Sequence, residues 1–123
     1  LTSLTSEDLR FIHPDASVEP MVTRLAKLAR ANHLDGIICS AVEVPALKKL
    51  LPDDTCFVTP GIRPAGSAAD DQRRVVTPAE AARLGIRYVV VGRPITTAPE
   101  PHKAALDILR EMQRAAPSSV ETQ

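Results

Sequence analysis

Two stretches of this 123-residue chain carry residue types that grip anions. Gly92-Arg93-Pro94 follows Val89-Val90-Val91 directly. Glycine lets the backbone approach a ligand closely, and backbone N–H groups in such a turn hydrogen-bond an anion. An arginine then adds a forked, charge-assisted contact. The second stretch, Thr59-Pro60-Gly61-Ile62-Arg63-Pro64, runs on to Asp70-Asp71-Gln72-Arg73-Arg74. Gln72 carries donors for a phosphate or a base edge, and Arg63, Arg73 and Arg74 add positive charge beside it. The bland alternative is a plain turn with a surface Arg93, and a solvated loop whose arginines pair with Asp70 and Asp71. Exposed pairs of that kind contribute little. Arg63 in such a loop is also placed where its side chain can face solvent.

Other reactive residue types do not form a recognisable constellation. His13, His33 and His102 have no metal-ligand spacing supported by a third ligand. Ser40 lacks the Gly-x-Ser-x-Gly elbow of a nucleophilic serine. Cys39 and Cys56 each lie inside an apolar run, with no zinc or redox spacing, and read as buried free thiols.

The elements that must position these residues alternate. Val18, Met21, Val22, Leu25, Leu28 and Ala29 make the apolar stripe of an amphipathic helix over 15–33. Residues 36–41 read as a short buried strand, 44–51 as a second helix stopped by Pro52, and 55–59 as the next strand. A polar loop covers 60–76, a length that usually marks a functional or disordered segment. Thr77-Pro78-Ala79-Glu80 is a capping box with proline at the first helical position, and Gly85 supplies a left-handed stop. Residues 87–91 form a β-branched strand, followed by a Gly/Thr/Pro-rich connection. A last helix spans 101–114 with Ala105, Ile108, Leu109 and Met112 inward, and 115–123 reads as a frayed tail. Leu1-Thr2-Ser3-Leu4 fits the end of one more strand. Strands alternating with helices imply parallel βαβ units whose strands are covered on both sides. Four units are half of an eightfold barrel or a small open doubly wound sheet. In either, the polar residues Thr2-Ser3, Ser40, Thr59 to Arg63 and Gly92-Arg93 fall at the carboxyl ends of the strands, where sites form.

Composition narrows the function. Fifteen Lys+Arg balance fifteen Asp+Glu, with no Trp, one Tyr and two Phe. Neither the basic excess nor the stacking aromatics of a nucleic-acid binder are present. No apolar run approaches a membrane span, and no signal-peptide or lipidation pattern stands out. A cytoplasmic protein that contacts neither nucleic acid nor membrane is the expectation.

Leu1-Thr2-Ser3, Asp35-Gly36, Cys39-Ser40-Ala41, Thr59 to Pro64, Asp71 to Arg74, Thr77-Pro78 and Gly92-Arg93-Pro94-Ile95-Thr96 occur in that order. In these stretches, from Leu1 to about Arg114, the chain resembles the bacterial orotidine 5′-phosphate decarboxylases. That resemblance implies strands five to eight, with their helices, of a (β/α)8 TIM barrel that is usually a homodimer. It implies that phosphate is held by Arg63, Gln72, Gly92 and Arg93, and that Thr2 lies near the pyrimidine. The reaction it implies converts orotidine 5′-monophosphate to uridine 5′-monophosphate and CO2, in pyrimidine biosynthesis, with no metal or organic cofactor.

The family's Asp-x-Lys-x-x-Asp signature, which belongs to the first half of the barrel, is missing. The four lysines, Lys27, Lys48, Lys49 and Lys103, all fall on expected helices. A proton donor must reach the reacting carbon, so this chain alone is expected to be inactive and to carry no catalytic residue of its own. Its partner would be the amino-terminal half of the barrel. Two other readings keep the same phosphate loops: a related sugar-phosphate decarboxylase or synthase, and a non-catalytic phosphate-binding half-barrel. A half-barrel also leaves unpaired strand edges and a core open on one side, so a lone monomer is expected to be unstable.

Overall fold

The computed structural model describes residues 2–65 and 75–117. Its elements run α1 (Ser6–Arg10), α2 (Val18–Ala31), β1 (Gly36–Ile38), a 3-10 turn (Ala41–Glu43), α3 (Val44–Lys48), β2 (Cys56–Thr59), α4 (Pro78–Arg83), β3 (Tyr88–Val89), α5 (Arg93–Thr96) and α6 (Pro101–Ala115). The three strands form one parallel sheet in the order β1-β2-β3. Each strand returns to the sheet through helical chain, which is the βαβ repeat expected from the alternation.

Side chains alternate across the sheet. Ile37, Cys39, Phe57 and Val89 point to the helices and join Val22, Ala26, Val44, Leu47, Ala81 and Ile86 in the core. Ile38, Val58 and Tyr88 are paired in register on the other face. No described element covers that face: Ile38 is 70% exposed, Tyr88 58% and Val90 51%. The expectation that the strands would be covered on both sides therefore holds for one face only. Helices α2, α3 and α4 cover the outer face, and the inner face is left open.

The capping box at α4 is formed as its residues require. The Glu80 N–H donates to the Thr77 hydroxyl at 3.2 Å, and the Thr77 N–H donates to the Glu80 carboxylate at 2.8 Å. These bonds satisfy donors that an uncapped helix leaves bare. The same N–H and the Thr77 hydroxyl hold the exposed Glu80 carboxyl below its ordinary pKa, aided by the Arg83 charge. Gly85 ends the helix at φ 70°, a left-handed conformation that suits glycine. Lys48 donates to the carbonyl of Leu84 at 2.7 Å, which ties α3 to that turn.

Four expectations are corrected. Thr2-Ser3 is a turn and not a strand end, because nothing beside β1 offers it a ladder. The short helix α1 was not expected, although Thr5 and Asp8 form its capping box. The segment after β3 is not an irregular connection: Gly92 opens α5, with the Ile95 N–H donating to the Gly92 carbonyl at 2.8 Å. The helix expected over 44–51 begins as the 3-10 turn at Ala41 and is α-helical only to Lys48. Helix α2 keeps its place within 15–33, but Leu25 and Leu28 on its apolar stripe are exposed. Helix α6 buries Ile108, while Leu109 is half exposed. It reaches Ala115, one residue beyond the expected end. Neither cysteine is in a disulfide; Cys39 is buried and Cys56 half-buried.

Candidate functional site

The carboxyl ends of the strands gather most of the residues singled out above. β2 ends at Thr59, whose carbonyl accepts from the Val90 N–H at 2.9 Å, so the chain leaving β3 is tied to the chain leaving β2. Gly61, at φ 79°, then turns the backbone in a conformation that other residues rarely adopt. Ile62 follows, fully buried, and pairs with Val76 in an isolated parallel bridge. The Arg63 N–H donates to the Val76 carbonyl at 3.0 Å, and the Val76 N–H donates to the Gly61 carbonyl at 3.2 Å. These bonds clamp the base of the long loop, so both of its ends are fixed against the sheet.

Arg63 stands on this clamp. It is only 8% exposed, and its guanidinium donates to the carbonyl of Ile62 at 3.0 Å. The expectation of a solvent-facing side chain is thus corrected. The buried Ile62 and Val76 beside it and the clamp below fold Arg63 back over the end of β2. Burying a cation is costly unless it is hydrogen-bonded or opposed by negative charge, so its place at a strand end is consistent with an anion site.

Gly92 and Arg93 lie at the end of the neighbouring strand. Gly92 is exposed, and a side chain built on it would meet nothing within 4 Å, so its backbone is open to a ligand. Arg93 is the exposed first residue of α5, and its carbonyl accepts from the Thr97 hydroxyl at 2.8 Å and the Thr97 N–H at 3.0 Å. Because β2 and β3 are hydrogen-bonded neighbours, the fold brings the Arg63 loop and Gly92-Arg93 to one corner of the sheet. Thr2 is not in that corner. It lines a groove beside β1 together with Ile38, Cys39 and Glu43. Gln72, Arg73 and Arg74 lie outside the described residues.

Two features at the strand ends were not singled out beforehand. The Glu43 carboxylate accepts from the Ser40 N–H at 3.0 Å, locking the turn after β1. The Ser40-x-x-Glu43 spacing is a capping-box signature and was available in the sequence. Thr59 is completely buried, and its hydroxyl has no hydrogen-bond partner among the described residues. No sequence pattern signals that. The lysines are elsewhere: Lys27, Lys48 and Lys103 on helices, and Lys49 at the end of α3.

A parallel α/β sheet with helices on one face, an open inner face and its polar loops at the strand carboxyl ends is the architecture of part of a βα barrel. Comparison with known proteins fits that class. Residues 1–108 match the model of the orotidine 5′-phosphate decarboxylase / HUMPS family. The chain is 50% identical over 113 residues to orotidine 5′-phosphate decarboxylase of Hahella chejuensis, covering 92% of this chain and 48% of that protein. It is 48% identical over 115 residues to the Gluconobacter oxydans enzyme of the same name, covering 94% of this chain and 49% of that one. Among solved structures, orotidine 5′-phosphate decarboxylase from Lactobacillus acidophilus superposes with a TM-score of 0.73 at 39% identity, covering 91% of this chain and 46% of that one. The chain belongs to the orotidine 5′-phosphate decarboxylase / HUMPS family. It spans about half the length of the curated relatives it matches.

Proposed function

We propose that the complete barrel to which this chain belongs is an orotidine 5′-phosphate decarboxylase, and that these residues form its phosphate-binding half. In that reaction the bond between C6 of the pyrimidine and the carboxylate breaks, CO2 leaves, and a proton takes its place on C6. Arg63, Gln72, Gly92 and Arg93 hold the phosphate, and Thr2 lies toward the pyrimidine. The observation that carries this reading is the corner formed by the clamped, buried Arg63 and the open Gly92-Arg93 turn on adjacent strands. Half of the relatives' length and near 50% identity support the same assignment.

The chain by itself holds the substrate's handle and not its reacting end. No lysine stands at a strand carboxyl end among the described residues. Binding energy from a remote phosphate can still lower a barrier at the pyrimidine, provided the other half supplies the proton donor. The amino-terminal half of the barrel is therefore the proposed partner, in a cytoplasmic, homodimeric enzyme.

Fusing the amino-terminal half of the Hahella chejuensis relative to this chain tests the reading. The fusion is expected to release CO2 from orotidine 5′-monophosphate, while the chain alone binds uridine 5′-monophosphate weakly and turns nothing over. A fusion that is folded and inert, and that binds ribose 5-phosphate as tightly as the nucleotide, overturns it in favour of a sugar-phosphate site.

A further inference from the structure

Helix α4 starts just beyond the clamp that carries Arg63. Val76 belongs to the clamp through both its N–H and its carbonyl, Thr77 caps the helix, and Pro78 opens it. The first turn of a helix leaves N–H groups without intrahelical partners. Here Pro78 has no N–H to satisfy, and the Glu80 N–H donates to the Thr77 hydroxyl. The Ala79 N–H donates to the Glu111 carboxylate at 3.1 Å, and Glu111 stands on α6. Of these three residues, only Ala79 draws its acceptor from another element. Glu111 is half-buried in the groove between α4 and α6. Arg83, Arg110 and Arg114 line the same groove, but Glu111 forms no ion pair among the described residues.

We propose that Glu111 is a positioning residue for the phosphate corner: the bond it accepts from Ala79 holds the Arg63 loop, which runs into α4, against α6, the helix that follows Gly92-Arg93. The inference rests on the phosphate reading of that corner. The link from Val76 to Ala79 has little play. Pro78 is fully buried and its ring fixes φ, while Thr77 and Glu80 hold each other through the capping box. A shift in the first turn of α4 therefore reaches the Val76 clamp under Arg63. On the other arm, Gly92-Arg93 opens α5, and α5 packs on α6. The Val90 N–H and the Thr59 carbonyl join the two arms on the sheet side. Glu111 joins them on the helix side. A phosphate gripped from both arms needs them at one spacing, and a misplacement of about 1 Å far from a ligand's reacting end is already costly. Both α4 and α6 belong to this chain, so the contact does not depend on what completes the sheet.

Calorimetry on the fusion with the Hahella chejuensis half tests it. Glu111→Ala is expected to raise the dissociation constant for uridine 5′-monophosphate about tenfold, the order of one charge-assisted bond. Binding of uridine, which has no phosphate, is expected to stay as it was. Glu111→Gln keeps an acceptor oxygen at the same reach and is expected to restore the parent value. Glu111→Asp keeps the charge but falls one methylene short, and is expected to bind as weakly as E111A. If E111A does not fold, E111Q against E111D carries the comparison. Ile108→Val loosens the buried side of the same helix without touching the bond. It is expected to lower the urea midpoint and leave both affinities alone. In an Arg63→Ala background, E111A is expected to add less than about twofold, because the loop it positions has lost its charge. No loss in E111A, an equal loss for uridine, no recovery in E111Q, parent-like binding in E111D, or the full loss on top of R63A would each overturn the proposal. Arg63→Ala and Arg93→Ala alone separate it from the reading beneath it. If they weaken the nucleotide and E111A does not, the role of Glu111 falls by itself. If neither weakens it, the phosphate reading falls and takes this one with it.

Discussion

Thr59→Val is expected to stabilise the completed barrel. The Thr59 side chain is wholly buried at the end of β2, and its hydroxyl has no partner among the described residues. A buried hydroxyl without a hydrogen bond costs about 1–3 kcal/mol of desolvation. Valine keeps the branched shape and suits a strand, so the swap removes that cost without opening a cavity. Its methyl group adds roughly 0.8 kcal/mol of apolar burial. Discounting for an imperfect fit, a gain of about 1–2 kcal/mol follows. Urea unfolding of the fusion with the Hahella chejuensis half reads it as a higher midpoint at unchanged slope. The backbone bond from Val90 to the Thr59 carbonyl is not touched by the swap, so β2 and β3 stay joined. A loss of stability greater than about 0.5 kcal/mol refutes the reasoning, because it means the hydroxyl was bonded. A gain in stability with a tenfold loss of nucleotide affinity would place the hydroxyl in the service of the ligand instead.

Arg93→Ala is expected to weaken uridine 5′-monophosphate binding to the fusion by about 1.5–3 kcal/mol, the worth of a charge-assisted bond, as read by calorimetry. Unchanged affinity removes Arg93 from the site. Arg63→Ala is expected to lower both affinity and the unfolding midpoint, since the side chain is buried and bonded to the Ile62 carbonyl; Arg93→Ala should leave the midpoint alone. Gly36→Ala drives a methyl to 2.6 Å from the Cys56 carbonyl oxygen and should destabilise the β1–β2 pair by about 1–3 kcal/mol, measured by urea unfolding. Thr77→Ala removes the α4 cap and is expected to cost about 1 kcal/mol. It also changes the acid limb. The Glu80 carboxyl has a folded pKa below its unfolded one, so its contribution is present above the unfolded value and is lost as pH falls through the folded value. Without the Thr77 hydroxyl that loss is smaller, and the stability of the variant should fall less steeply below about pH 4.5 than that of the parent.

What the sequence discloses here depends on how local the determinant is. The α4 cap and its glycine stop are readable because Thr77, Glu80 and Gly85 act within one turn of each other. The site corner was half legible. Gly92-Arg93 after a β-branched run marks a strand-end turn by type alone, whereas the burial of Arg63 depends on Val76, thirteen residues on, folding back to clamp it. The unexpected α5 has a similar cause. Gly, Pro and Thr are poor helix formers, and the bonds onto the Gly92 and Arg93 carbonyls and the contact with α6 hold that turn. The exposed Ile38, Tyr88 and Val90 argue something further. Their pattern is that of residues buried in a sheet covered on both faces, and the described chain covers one. Hydrophobic periodicity records the environment a segment occupies in its assembled state. A strand whose sequence demands burial on a face that nothing in the described chain covers therefore defines a missing surface. That surface must offer parallel strand edges at both ends and apolar side chains between them. The amino-terminal half of the proposed barrel would meet those conditions beside the corner that holds Arg63 and Gly92-Arg93.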